Sequence, residues 1–254
     1  MKRVALVTGS NRGLGLETAR RLAARDWDVI LACRDVDKAR ALAATIPGAS
    51  ARALDLADAR TIGALRDALE RDGVVIDALV NNAAISMRGF DANVATKTLA
   101  VNLSGTLMTT SALAPRVNDG GAIVMVSSGM GELSVLRPPA RARVEKAASL
   151  DEIEALGREF IRGVAQGRHE SAGWPSSAYS VSKALLNAAT RVLAGELEAR
   201  HIRVNAVCPG WVRTDLGGPH APRDVPMGAA SIVATVLEPK ATGGFFRDGA
   251  PIRW

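Results

Sequence analysis

The feature that most constrains this chain stands at its start. The apolar run Arg3–Thr8 passes directly into Gly9-Ser10-Asn11-Arg12-Gly13-Leu14-Gly15, and apolar residues then recur at Leu16, Ala19, Leu22 and Ala23. A short apolar run closed by glycine has the character of a buried parallel strand, and the spacing after it is helical. A strand, a glycine turn and a helix in that order open a fold in which parallel strands alternate with crossover helices. The turn also carries chemistry. Backbone N–H groups approach a diphosphate closely only where no Cβ intervenes, and a helix N-terminus adds partial positive charge. Placed directly after the first strand, Gly9, Gly13 and Gly15 point to a dinucleotide.

The alternation continues along the chain. Strands are predicted at Asp28–Cys33, Arg52–Leu56, Ile76–Val80, Ala122–Ser127 and Arg203–Val207, with a seventh in the tail from Gly243. Helices are predicted at Val36–Ile46, Thr61–Arg71, Asp91–Val117 and Ser177–Arg200. This pattern predicts one doubly wound, Rossmann-like α/β domain over residues 1–254, with about seven mostly parallel strands and helices on both faces. Ligands on such a sheet bind outside the carboxyl ends of the strands. Residues 129–173 break the rhythm and contain no strand pattern. Ser149 and Glu152 form a capping box, and Ile153, Leu156, Phe160 and Val164 then share a helical face, so an inserted amphipathic helix is expected there.

Composition narrows the function. The net charge is +6, but only six residues are lysine, the arginines are scattered and no run of four basic residues occurs. That argues against nucleic-acid binding, which needs a basic stripe or a reader motif. Two cysteines and three histidines without paired spacing give neither a disulfide framework nor a metal site. No leader pattern and no apolar run of roughly 18 residues is present, so a cytoplasmic protein without membrane association is expected.

Tyr179 is the only tyrosine, and Lys183 follows it by one helical turn on the same face. A phenol with pKa near 10 is a poor acid or base at neutral pH, and a nearby ammonium lowers that pKa. Asn81-Asn82-Ala83-Ala84 follows the fourth strand, Val101-Asn102-Leu103 lies in the long helix, Ser127-Ser128 ends the fifth strand, and Cys208-Pro209-Gly210-Trp211-Val212-Arg213-Thr214-Asp215 follows the sixth. In order and placement these motifs resemble the short-chain dehydrogenase/reductase family down nearly the whole chain. Ala84 stands where that family has glycine.

The resemblance implies a mechanism and a site. A nicotinamide cofactor delivers hydride to a carbonyl carbon, Tyr179 gives the proton to its oxygen, and Ser128 polarises that oxygen as an oxyanion donor does. Lys183 holds ribose hydroxyls, and Asn102 kinks its helix and relays protons through water to Lys183. Ser127 and Ser128 compete for the serine role, and the second is the family's usual catalyst. The implied cofactor contacts are Gly9, Ser10, Asn11, Arg12, Gly13, Leu14 and Gly15 in the loop, Asp55 and Leu56 near the adenine, Asn82 and Ala83 near a ribose, Tyr179 and Lys183, and Pro209, Gly210, Val212 and Thr214 after the sixth strand. The residue ending the second strand meets the adenosine ribose, where a base favours a 2′-phosphate and an acid favours a free hydroxyl. Arg34 stands there, with Asp35 beside it and Arg12 as a second cation, so NADP(H) is expected.

Ser128 and Tyr179 lie far apart in sequence, whereas a short spacer separates them in most of the family. This insertion resembles that of the monomeric NADPH-dependent carbonyl reductases, in which it covers the surface that relatives use to dimerise. A monomer acting on a small-molecule ketone, aldehyde or quinone is expected, with Gly129, Met130 and Trp211 lining a largely apolar substrate pocket. The alternatives are an alcohol dehydrogenase or narrow-substrate reductase, which the same residues would serve, and a non-catalytic NADPH-binding sensor.

Overall fold

The computed structural model describes residues 2–238 and 241–254. Eight strands form one sheet: β1 (Val4–Thr8), β2 (Asp28–Cys33), β3 (Ala49–Ala53), β4 (Ile76–Asn81), β5 (Val117–Val126), β6 (Arg203–Val207), β7 (Phe245–Arg247) and β8 (Ala250–Pro251). Their order is β3-β2-β1-β4-β5-β6-β7-β8, and every pairing is parallel except β7 with β8. The seventh strand expected in the tail is therefore a strand and a short antiparallel return. The order reverses between β1 and β4, which sets the switch point where such sheets bind ligands.

Apolar packing covers both faces. On one side α1 (Gly13–Ala23), α2 (Val36–Ala43) and α9 (Val225–Leu237) enclose Val7, Ala19, Leu22, Leu31, Val124 and Ile232. On the other, α3 (Ala59–Arg71), α4 (Ala92–Leu99), α5 (Thr106–Leu113) and α8 (Ala178–Glu196) enclose Leu6, Ile62, Leu79, Leu103, Ile123 and Leu185. The period-two exchange of β1 and β5 side chains between these clusters follows from the pleat.

Several boundaries differ from the sequence reading. β3 runs over Ala49–Ala53, not Arg52–Leu56. It is a half-exposed sheet edge with no apolar run, and Leu54 and Leu56 lie beyond it, turned into the core. The long helix between β4 and β5 contains a π-helical turn at Ala100–Gly105 with Asn102 in its middle. Such turns recur at functional sites.

The insertion holds two helices rather than one, α6 (Pro138–Lys146) and α7 (Leu150–Ala165). α6 opens on Pro138 at its first position, which suits a helix start, but only Ala140 and Val144 are buried, so its periodicity is faint. In α7 the Ser149 hydroxyl accepts from the Glu152 N–H as the capping box requires, while the Glu152 carboxylate reaches one residue further back and accepts from the Ala148 N–H. Ile153 and Phe160 are fully buried, and α7 packs against α4 and α8. Arg143 of α6 pairs with Glu159 of α7 at 2.5 Å and lies over the buried Trp174 ring, tying the two helices to the segment that leads into α8.

Candidate active site

A cleft of about 1640 Å³ opens along the carboxyl ends of the strands. Its first wall is the loop after β1. Gly9 has φ of +63°, and a Cβ there would stand 2.9 Å from Ala83 Cα, so the loop closes only with glycine. A Cβ at Gly15 would stand 2.5 Å from both the Gly9 carbonyl oxygen and Asn82 Nδ2. Asn82 braces this turn: its side-chain amide donates to the Thr8 and Gly9 carbonyls at 2.9 and 3.2 Å, and its N–H and that of Ala83 donate to Thr8 Oγ1. Arg12 occupies the N-cap of α1 without a capping side-chain hydrogen bond, which leaves the first N–H groups of the helix for an anion. Asn11, Arg12, Gly13 and Leu14 line the cleft. Ser10 does not: it is fully buried, and its hydroxyl donates to the Val7 carbonyl at 2.8 Å.

The end of β2 forms the next wall. Arg34 is exposed and, among the described residues, has no hydrogen-bond or ion-pair partner. The neighbouring Asp35 is otherwise occupied, since its carboxylate accepts from the Lys38 N–H at 3.0 Å and caps α2. Lys38, which the sequence reading missed, lines the same wall one helical turn beyond Arg34. Arg12 is paired with Asp215 at 2.6 Å, an exposed contact that bridges the glycine loop and the segment after β6. Asp55 and Leu56 line this end too, and the Asp55 carboxylate accepts from the Ala57 N–H.

The other end of the cleft gathers Ser128, Tyr179 and Lys183. Tyr179 and Lys183 enter from the first turns of α8, whose start is fixed by the Ser177 hydroxyl accepting from the Ser180 N–H. Lys183 is buried, its ammonium donating to the Val126 carbonyl at 2.8 Å and standing 5.7 Å from the centre of the Tyr179 ring. Burial pushes this ammonium down to about 8. Burial also pushes the half-buried Tyr179 phenol up to about 12, with the Ser128 hydroxyl pulling the other way. The phenol, expected to be lowered by Lys183, is instead raised, with desolvation the largest cause.

Ser128 faces the cleft half-buried and accepts from the Met130 N–H at 3.1 Å. Ser127 is buried with its hydroxyl unpartnered among the described residues. Asn102 lies behind the cleft rather than in it. Its amide oxygen accepts from the Ile85 N–H, and its nitrogen donates to the Ile85 carbonyl and to Ser182 Oγ, which in turn donates to the Tyr179 carbonyl. It reaches the tyrosine's helix turn by this chain, and its hydrogen bonds go to Ile85 and Ser182 rather than to Lys183. Ala84 adopts no positive φ, so its departure from glycine needs no compensation.

Gly129, Met130, Pro209, Gly210, Trp211, Val212 and Thr214 complete the walls. Trp211 is 58% exposed, held by its indole N–H donating to the Gly217 carbonyl at 2.7 Å. Met87, Met130 and Leu216 are also exposed, so the large apolar side chains left uncovered by the fold concentrate at this cleft. Sequence reading also missed Cys208 and Arg247. Cys208 Sγ accepts from the Gly129 N–H and from Arg247 Nη2, each at 3.1 Å.

With this geometry in hand, comparison with known proteins is decisive. The short chain dehydrogenase model matches residues 3–140, and the enoyl-(acyl carrier protein) reductase model matches 164–237. Human carbonyl reductase (NADPH) 1 is 35% identical over 94% of this chain and 93% of its own length. The chain belongs to the short-chain dehydrogenase family. The unmatched residues 141–163 fall inside the insertion, on α6 and α7. Among solved structures, salutaridine reductase from Papaver somniferum superimposes with a TM-score of 0.89 at 28% identity, covering 96% of this chain and 99% of that one. A short chain dehydrogenase from Burkholderia cenocepacia in complex with NADP gives 0.70 at 28% identity, covering 98% and 96%.

Proposed function

We propose that this protein reduces the carbonyl of a small-molecule ketone, aldehyde or quinone with NADPH, Tyr179 giving the proton. One observation carries the reading: Tyr179, Ser128 and Lys183 meet at one end of a cleft whose other end offers a glycine-lined helix start and the unpaired Arg34. The full-length likeness to human carbonyl reductase (NADPH) 1, and that of the fold to a relative in complex with NADP, support the same reaction and cofactor.

The residues present fit the cofactor. Gly9, Asn11, Gly13, Leu14, Gly15 and the open N-terminus of α1 would hold a diphosphate; Arg34, Lys38 and Arg12 would hold a 2′-phosphate. Asp55 and Leu56 would border the adenine, Asn82 and Ala83 a ribose, Tyr179 and Lys183 the second ribose, and Pro209, Gly210, Val212 and Thr214 the nicotinamide end. Ser10 and Asn102 would act from behind, as braces. When bound, NADPH supplies the hydride that the carbonyl carbon accepts.

The chain's own part is to orient the carbonyl and move one proton. Ser128 Oγ accepts from the Met130 N–H and its hydroxyl is hydrogen-bonded to the Tyr179 phenol, so the two hydroxyls stand together where one carbonyl oxygen could meet both. The Tyr179 phenol, held protonated up to about 12, is an acid at neutral pH. Both Tyr179 and Lys183 line the cleft, which speaks against a sensor that has lost its chemistry. α7, lying over α4 and α8, supports a monomer, since it occupies the helical face a dimer would use. The test is NADPH oxidation with a panel of aromatic aldehydes, diketones and quinones, with the alcohol product identified. Consumption of NADPH matched by alcohol is expected; binding of NADPH with no product from any member overturns the reductase reading.

A further inference from the structure

Arg247 ends β7 and lines the cleft beside the residues that follow Ser128. Its Nη2 donates to Cys208 Sγ at 3.1 Å, and a Cβ on Gly129 would stand 3.1 Å from that same nitrogen. The guanidinium therefore stands against Gly129, the residue that follows the serine expected to polarise the carbonyl. It is half-buried, and its Nε is buried without a hydrogen-bond partner.

Its charge makes no direct ion pair among the described residues, although it helps hold the Asp248 carboxyl below its usual value. Asp248 is the acid next to it, but both Asp248 oxygens are taken by Arg223, at 2.8 and 2.6 Å. Glu132 Oε1 approaches Gly129 from elsewhere, at 3.4 Å from the same Cβ position, without forming an ion pair with Arg247. Among the described residues Arg247 makes no ion pair, and its only hydrogen bond is to a thiol. A half-buried guanidinium with five donors and one sulfur acceptor is short of acceptors.

The cofactor's phosphates do not answer this need. Arg34 and Arg247 end strands five places apart in the sheet, about 24 Å at the usual interstrand spacing. The diphosphate loop and Arg34 lie toward β1 and β2; Arg247 lies at the reacting end, next to Ser128 and Cys208. The same cleft carries the exposed apolar side chains Met87, Met130, Trp211 and Leu216, which suit a hydrophobic body. The cleft expected to hold a largely apolar substrate pocket thus also carries this cation.

We infer that Arg247 selects carbonyl substrates that carry a carboxylate a few bonds from the reacting carbon on an aromatic or alkyl body, so that an oxo acid becomes a hydroxy acid. This rests on the reductase reading. The reaction balances as any carbonyl reduction does: carbon gains hydride from NADPH, oxygen gains the Tyr179 proton, and the carboxylate is unchanged.

The test uses two matched pairs, benzoylformate and 3-benzoylpropionate, each against its methyl ester, with wild type, Arg247→Met and Arg247→Lys. Intrinsic reactivity cancels when the acid-to-ester ratio of kcat/KM is compared between proteins. At least one pair should lose tenfold or more of that ratio in Arg247→Met, mainly through KM, with partial recovery in Arg247→Lys. A readout without turnover comes from Trp211: 2-naphthoate should quench wild-type tryptophan fluorescence at lower concentration than 2-naphthamide, and added salt should weaken the acid's binding alone. Unchanged ratios in both pairs, or equal binding of naphthoate and naphthamide by wild type, overturn the inference while esters are still reduced. If wild type reduces neither acids nor esters nor any member of the wider carbonyl panel, the reductase reading falls and this inference with it.

Discussion

The Lys183 ammonium stands 5.7 Å from the centre of the Tyr179 ring and is anchored to the Val126 carbonyl at the end of β5. One helical turn fixes their spacing along α8, and the strand end fixes the lysine's reach. Lys183 is buried and Tyr179 half-buried, and desolvation drives each toward its neutral form, the phenol up to about 12 and the ammonium down to about 8. The protein thus bears a desolvation cost at the place where proton transfer is expected.

That cost has a pH signature. The unfolded chain binds a proton at Lys183 more tightly than the folded one, so between about 8 and 10.5 stability rises with pH and it is lost again as pH falls through about 8. Removing the lysine removes this dependence. Urea unfolding of wild type and Lys183→Met at pH 7 and 9.5 should show wild type gaining on the order of 2 kcal/mol relative to the variant. Parallel behaviour of the two proteins would mean that Lys183 is not desolvated.

Arg34 should decide between the two nicotinamide dinucleotides. A charge-assisted hydrogen bond contributes about 1.5–3 kcal/mol, so Arg34→Ala should lower the preference for NADPH over NADH by on the order of tenfold or more, measured as the ratio of kcat/KM. The double variant with Lys38→Ala should lower it further. An unchanged ratio would show that the phosphate is held elsewhere.

The serines should separate. Ser128→Ala should lower kcat by about 10²–10³-fold, the usual loss for an oxyanion donor, whereas Ser127→Ala, altering a buried hydroxyl with no hydrogen-bond partner among the described residues, should leave most of it. Equal losses would leave neither serine distinguished.

The insertion should behave as part of the core. Phe160 is fully buried on α7 and packs against Trp174 with ring centres 5.8 Å apart. Phe160→Ala should cost about 3–5 kcal/mol in chemical unfolding. A loss near zero would describe a detachable flap instead. Sedimentation should give the wild-type mass as one chain, and a dimer mass would refute the covering role of α7.

How much of this was legible in the sequence depended on the signal each residue carries. β1, β2, β4 and β6 are apolar runs buried on both faces, and they read directly. β3 did not, because its edge position leaves it half-exposed, while Leu54 and Leu56 lie outside the strand. β5 begins at Val117, earlier than expected, through an exposed Asn118–Gly120 stretch where its register with β4 shifts. Local polarity there hides a pairing that tertiary structure makes. The glycine loop, Arg34, Ser128, Tyr179 and Lys183 were legible because each ends a strand or opens a helix at a motif. Arg247 ends a strand of three residues whose boundary the sequence did not mark, so the rule about strand ends could not reach it. That the Asp35 carboxylate is engaged as a helix cap, leaving Arg34 beside it without a partner among the described residues, is something only the fold reveals.

The most direct test of the account is Tyr179→Phe, with NADPH oxidation measured alongside NADPH binding. The phenol should be worth on the order of 10²–10⁴-fold in turnover as a general acid, while NADPH affinity changes by less than about tenfold, the value of one neutral hydrogen bond. Turnover near that of wild type would contradict the central claim that Tyr179 supplies the proton.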